Sequence, residues 1–409
     1  MRSIGMDIHR DFCEVAICEQ GRVRGGGRVA TLIGPLSEFA AQLGPDDQVA
    51  LESTQGAGAI KRLLAPHVAR VLIVDSRKAA ALAQARAKTD RLDARTLARL
   101  LAAGVLDEVW SPDEDSAALR RLLSRRQALV RARTRAKNEV HAALARSLCP
   151  RPPVKDLFGR TGRRWLAEQP LDPEERLTAD GCLRQIDLLA QEVAALERRL
   201  AERAVGMPEL RQLLSVPGVN LITAVTFLAW VGDIARFPTP RRLVGYLGLD
   251  PRVRQSGSGS ARHGHISKEG ARLVRHVLGE AVWSVIQAPG PLRAFFARVA
   301  SRKGPQVAAT ATARKLVVLF WHLLARGEDY AYAQPSRTRK KVRQLELDAG
   351  AARHRGRPGP EGPVKIPAAQ RVAERAIGEQ AEAAYRRFTA DWQRRRPGGA
   401  DAATGERLS

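Results

Sequence analysis

Apolar and polar positions alternate from the first residues of the chain. Between Ser3 and His9, Ile4, Met6 and Ile8 fall on one face, a period of two that predicts a β-strand. A turn at His9-Arg10-Asp11 leads to a second strand over Phe12 to Cys18, and Gly21 precedes a third over Arg22 to Leu32. The pattern then alternates between classes: a short helix over Leu36 to Leu43, a strand at Val49 to Ser53, a helix over Ile60 to Leu64 and a buried strand over Val71 to Val74. Leu92, Leu97, Leu100 and Leu101 recur at helical spacing and stop before Gly104. Antiparallel strands followed by βα units predict an α/β domain with a mixed sheet over residues 1–110. A ribonuclease-H-like fold gives that order.

Beyond residue 110 the period is helical. Ser116 to Leu148 reads as one long helix, ended by Pro150, Pro152 and Pro153. Asp172 to Val205 reads as a second, in which Ile186, Leu189, Val193, Leu196 and Leu200 occupy the a and d positions of a heptad. That stripe predicts either a coiled coil joining subunits or a core helix packed on the one before it. Residues 111–206 are therefore expected to be a helical, coiled-coil connector. A compact, mostly α-helical domain is expected over residues 207–330, with helices at Pro240 to Leu247, Arg272 to Val285, Leu292 to Ala300 and Ala308 to Leu324. Its Pro217-Gly218-Val219 turn is similar to the hairpin of a helix-hairpin-helix element. Residues 331–409 carry a basic run and a Gly/Pro-rich segment, Arg355 to Pro363, and are expected to be a disordered tail with one basic helix over Ala368 to Arg396.

Charge changes the picture. The 409 residues contain 68 Lys and Arg against 43 Asp and Glu, a net charge of +25, and such a surplus calls for a polyanion. The predicted helix over 116–148 concentrates it, with nine cations against the one acid Glu139. Aromatic residues make up 5% of the chain, too few for base stacking to be the main grip. The four cysteines, Cys13, Cys18, Cys149 and Cys182, show no paired spacing, which argues for reduced thiols in a cytoplasmic protein with neither a zinc site nor a disulfide frame. No apolar run suggests a membrane span or signal peptide.

The chemistry-bearing residues are acids at the ends of predicted elements. Asp7 lies between apolar neighbours, where an unpaired charge is expensive, and Glu52 ends the strand beginning at Val49. Asp90 and Asp93, three apart at a helix start, share one face. Two strand acids and two helix acids suit two-metal phosphoryl transfer, with Mg2+ as a hard, oxygen-loving ion. The bland alternative is a solvated helix start whose acids favour the dipole and pair with Lys88, Arg91 and Arg95.

A second cluster lies between Arg252 and Gly270. Ser256, Ser258 and Ser260 alternate with glycine, and Arg252, Arg254, Arg262, Lys268, Arg272 and Arg275 surround them. Most Gly-Ser runs are surface linkers, but a hydroxyl among phosphate-holding cations has what a nucleophile needs. Composition leaves Ser256, Ser258, Ser260 and Ser267 open as candidates, and leaves His263 and His265 as proton carriers or solvated loop residues.

The chain resembles transposases of the DEDD class of insertion sequences, the group numbered 110 and 1111, which includes site-specific invertases of pilin genes. The resemblance rests on Gly5-Met6-Asp7-Ile8-His9, Leu51-Glu52-Ser53-Thr54, Lys88-Thr89-Asp90-Arg91-Leu92-Asp93-Ala94-Arg95, and the late block from Pro217-Gly218 through Gly248-Leu249-Asp250-Pro251, Ser256-Gly257 and Ile266-Ser267-Lys268-Glu269-Gly270. Gln55 interrupts the Ser/Ala-Thr-Gly sequence that usually follows the glutamate, and nothing after about residue 335 matches. The resemblance implies a RuvC-like (ribonuclease-H fold) N-terminal domain, a helical connector and a C-terminal domain with a catalytic serine. It maps the metal-binding acids, with two Mg2+ ions, to Asp7, Glu52, Asp90 and Asp93, and the nucleophile to Ser256. It also implies a homo-dimer or tetramer acting on donor and target DNA, paired to a structured noncoding guide RNA. Arg120, Arg121, Arg125, Arg131 and Arg135, with Arg252, Arg254, Arg262, Lys268 and Arg272, are the expected nucleic-acid contacts. The rival readings are a Holliday-junction-type, structure-selective nuclease that uses water, and a nucleic-acid-binding protein without chemistry.

Overall fold

The computed structural model describes residues 1–75, 79, 82, 89–255, 262–352 and 367–394. The chain separates into two compact units, Met1–Ser111 and Pro112–Ser409.

The first unit is a five-stranded mixed sheet in the order β3-β2-β1-β4-β5. Strands β1 (Ser3–Ile8), β2 (Phe12–Glu19) and β3 (Arg22–Ala30) run antiparallel, whereas β4 (Gln48–Glu52) and β5 (Arg70–Val74) lie parallel to β1. Period-two alternation gives the sheet two distinct faces. On one, Ile4, Met6, Val15, Ile17, Val49 and Leu51 are buried against α1 (Ile33–Ala41) and α2 (Ala57–Leu64). The other face is narrow, lined by Gly5, Ala16 and Ala50 in register, and α3 (Asp90–Ala102) lies on it. Gly5 has no room for a side chain: a Cβ there would meet the Ala94 carbonyl at 2.2 Å and the Ala98 amide at 2.5 Å. This bare strip lets α3 settle onto the same face that carries Asp7.

The second unit is helical. Its long helices α4 (Glu114–Arg146) and α6 (Pro173–Ala204), joined through α5 (Arg160–Ala167), run antiparallel, with Arg203–Asp115 and Arg146–Glu175 ion pairs at the two ends and Arg126–Glu197 between them. Ile186, Val193 and Leu200 of the heptad stripe are buried, Ile186 with Ala136, Val140 and Leu144 of α4. Leu119 and Leu123 of α4 share one core with α7 (Pro208–Leu214), α8 (Leu221–Val231), α9 (Pro240–Tyr246), α10 (Arg272–Val285) and α12 (Pro305–Arg326). The connector expected over 111–206 is therefore continuous with the helical core, not a separate spacer. Helix α12 is long and apolar enough to cross a membrane by length and composition, but Leu316, Val317 and Phe320 are fully buried in this core.

The disordered tail expected after 331 does not describe α13 (Pro335–Asp348), whereas α14 (Ala368–Arg394) lies where one basic helix is expected. Polar clasps hold them. Glu374 of α14 accepts from the Ser336 amide at 3.2 Å and from its hydroxyl at 2.5 Å. Glu382 accepts from the Gly290 amide at 3.0 Å and from Arg293, at the start of α11 (Pro291–Lys303), at 2.7 Å. These donors hold the Glu382 carboxyl below its ordinary value despite burial.

Candidate metal centre

Three elements deliver the acids. Asp7 comes from the end of β1, and its side chain is 5% exposed. The parallel register pairs Met6 with Leu51, so the next step along both strands sets Asp7 beside Glu52. Helix α3 begins at Thr89, whose hydroxyl accepts from the Leu92 amide at 3.3 Å, and Asp90 and Asp93 occupy its first turn. Among the described residues, the ligand atoms of Asp7, His9 and Asp90 all lie within 4.8 Å of one another. His9 Nε2 is 3.1 Å from Asp7 Oδ2 and 3.3 Å from Asp90 Oδ2. Asp93 is half-buried one turn further along α3 and is not one of these three.

Burial of Asp7, and then its hydrogen bond and repulsion with Glu52, push its carboxyl up to about 6, against an opposing pull from His9. Two carboxylates this close, one of them out of water, cannot both stay ionised cheaply unless a cation joins them. Asp7 and Asp90, with Glu52 hydrogen-bonded to Asp7 though outside the group of three, are oxygen donors of the kind a hard divalent ion takes. Glu14, opposite Asp7 in the β1–β2 register, is buried as well, but its charge is already answered by Arg28 at 2.8 Å and Arg91 at 3.4 Å. Because Arg91 follows Asp90, this ion pair ties the start of α3 to β2. Sequence reasoning passed over both His9 and Glu14. The period of two was the available signal, since His9 follows Asp7 by two positions and Glu14 shares its strand face with Ala16 and Cys18, which pack against α3.

In the second unit, β6 (Pro251–Arg254) and β7 (Arg262–Ile266) form an antiparallel hairpin. Ser256, with Ser258 and Ser260, lies outside the described residues. The hairpin base is tightly locked. Ser267 donates to Asp250 Oδ1 at 2.7 Å and its amide donates to the Asp250 carbonyl at 2.8 Å. A Cβ on Gly248 would lie 1.8 Å from the Glu269 carbonyl, and one on Gly270 would lie 2.1 Å from that of Tyr246. The Gly-Leu-Asp-Pro and Ser-Lys-Glu-Gly segments are thus two halves of one close backbone contact. Ser267 is 9% exposed and committed to Asp250, which removes it from the nucleophile candidates.

The basic residues divide. Arg120 is a correction: it points inward, donating to the Ala229 carbonyl at 2.8 Å and the Trp230 carbonyl at 3.0 Å, with its guanidinium 5.2 Å from the Trp230 ring centroid. It caps the carboxyl end of α8, where orphan carbonyls need donors. Arg121, Arg125, Arg131 and Arg135 are exposed along α4, as are Arg252, Lys268 and Arg272 around the hairpin. Arg254 and Arg262 pair in the hairpin register.

A mixed sheet bearing a strand-and-helix carboxylate cluster fits a ribonuclease-H-like DEDD domain. Comparison with known proteins agrees. Residues 4–148 match the DEDD transposase model of the IS110 type, and residues 210–297 match the transposase family IS116/IS110/IS902. The chain belongs to this family of insertion-sequence transposases. It is 37% identical over 205 residues to the putative transposase y4qE of Sinorhizobium fredii, covering 50% of each chain. The chain thus spans about half the length of that relative. It is 26% identical to the transposase for insertion sequence element IS1111A of Coxiella burnetii, over 59% of this chain and 68% of the relative. The same identity holds with the transposase for insertion sequence element IS1328 of Yersinia enterocolitica, over 71% and 87% respectively.

Proposed function

We propose that the protein is a transposase that cuts and rejoins DNA strands of an insertion-sequence element by phosphoryl transfer. The observation that carries this reading is Asp7, buried beside Glu52 and within ligand reach of Asp90. Asp7, Glu52, Asp90 and Asp93 would hold Mg2+ ions, whose chemistry is to orient a DNA phosphate and neutralise the charge that grows on it. Glu14 and its two arginines position the helix that carries Asp90. The Ser256 hydroxyl is the nucleophile: its oxygen bonds to phosphorus, its proton passes to water, and a deoxyribose oxygen departs with the other strand end. The reverse step, with a different strand end attacking the phosphoserine, rejoins DNA and frees the serine.

The exposed cations of α4 and of the hairpin grip phosphate backbones, of DNA and of a structured noncoding guide RNA alike, because backbone contact needs no base readout. The protein acts as a dimer or tetramer, for which the half-buried Leu189 and Leu196 of α6 offer a seam.

The test is a DNA carrying the element junction, incubated with the full chain and Mg2+ and then denatured in detergent. A covalent protein–DNA adduct that is lost in Ser256→Ala and Asp7→Asn supports the reading. Cleavage without adduct makes the protein a water-using nuclease, and absence of both makes it a binding protein.

A further inference from the structure

We infer that His9 is itself a ligand of the cation, so that the pocket is a mixed nitrogen–oxygen site that prefers Mn2+ to Mg2+. This rests on the reading that the acids bind a cation at all. In an octahedral shell with bonds of about 2.1 Å, neighbouring ligand atoms stand about 3.0 Å apart. His9 Nε2 lies 3.1 and 3.3 Å from the two aspartate oxygens, which is close to that edge.

A proton satisfies this arrangement poorly. One N–H on Nε2 cannot point at Oδ2 of both Asp7 and Asp90, whereas an ion between the three atoms meets all of them. The imidazole is also prepositioned. Its backbone amide donates to the Phe12 carbonyl at 2.9 Å, and its carbonyl accepts from the Thr31 hydroxyl at 3.1 Å. The ring rests on Phe12 with centroids 5.0 Å apart. With 36% of its side chain exposed, His9 leaves the ion open to water or to a phosphate oxygen. Nitrogen donors favour transition ions, whereas Mg2+ keeps to oxygen.

The experiment uses the full-length protein and Mn2+ as the probe. Electron paramagnetic resonance titration gives Mn2+ affinity and its competition by Mg2+, and spin-echo modulation reports nitrogen bound to the ion. Nitrogen modulation in the wild type that is absent in His9→Gln, with the Mn2+-over-Mg2+ preference falling about tenfold, supports the assignment. Bound Mn2+ without nitrogen modulation, or modulation and preference unchanged in His9→Gln, overturns it and leaves the carboxylate site standing. If no Mn2+ binds, or if Asp7→Asn binds it as tightly as the wild type, the carboxylate site itself fails.

Discussion

Replacing Asp7 by Asn should make the metal-free protein more stable. Burial and Glu52 raise the Asp7 carboxyl from 3.8 to about 6. A shift of about two units corresponds to about 3 kcal/mol, the upper limit of what the charged form costs the fold. Between those values the folded chain keeps a proton that the unfolded chain releases, so stability falls as pH rises through the window and is fully retained only below it. Asn is neutral and nearly isosteric, with an amide that donates to Glu52 and an oxygen that accepts from His9. In EDTA at pH 8, urea unfolding should therefore place Asp7→Asn about 1 to 3 kcal/mol above the wild type, the gap closing as pH drops toward 4. Saturating Mg2+ should reverse the order. At a hundredfold excess over Kd a ligand of the folded state adds about 2.7 kcal/mol, and the variant should gain little of it. A metal-free Asp7→Asn less stable than the wild type at pH 8 would refute the reasoning, since the Asp7 charge would then be satisfied within the protein.

Gly5→Ala should cost about 1 to 3 kcal/mol and weaken metal-dependent stabilisation, because its Cβ would push α3 off the sheet; Gly25→Ala, with nothing within 4 Å, is the control and should change stability little. Arg120→Gln should lower stability by about 2 kcal/mol without changing the salt dependence of DNA binding, as it strands helix carbonyls. Arg131→Ala should do the reverse, reducing the slope of log affinity against log salt by about 1 with stability unchanged. Lys341 donates to the Leu214 and Val216 carbonyls, and burial lowers it to about 8. Its folded form thus loses a proton that the unfolded form keeps, and wild-type stability should rise relative to Lys341→Met as pH climbs from 8 toward 10.

The α/β domain was legible because β1 places Ile4, Met6 and Ile8 at a period of two and because β4 and β5 are short apolar runs set between helical patterns. The acids at strand ends and at the α3 start were legible for the same reason: each interrupts or terminates a pattern. What the chain's linear order hid was direction. Nothing in a run of arginines marks Arg120 as one that turns inward, since its partners are carbonyls on α8, remote in sequence. His9 looked like a turn residue until β1 and α3 placed acids on both sides of it. The docking of the last helix escaped because it runs through Glu374 and Glu382, while Val372 and Phe388 face solvent. A buried carboxylate clasp leaves no apolar stripe to read.

That clasp has a bearing on how copies of such a gene decay. A frameshift or stop codon upstream of Ala368 would delete residues with no match to the family, and so look harmless on paper. It would nonetheless abandon the Arg293 guanidinium and the Gly290 and Ser336 amides, each of which has its carboxylate on the lost helix. Late truncation is thus expected to act as a folding lesion, felt far from the cut end.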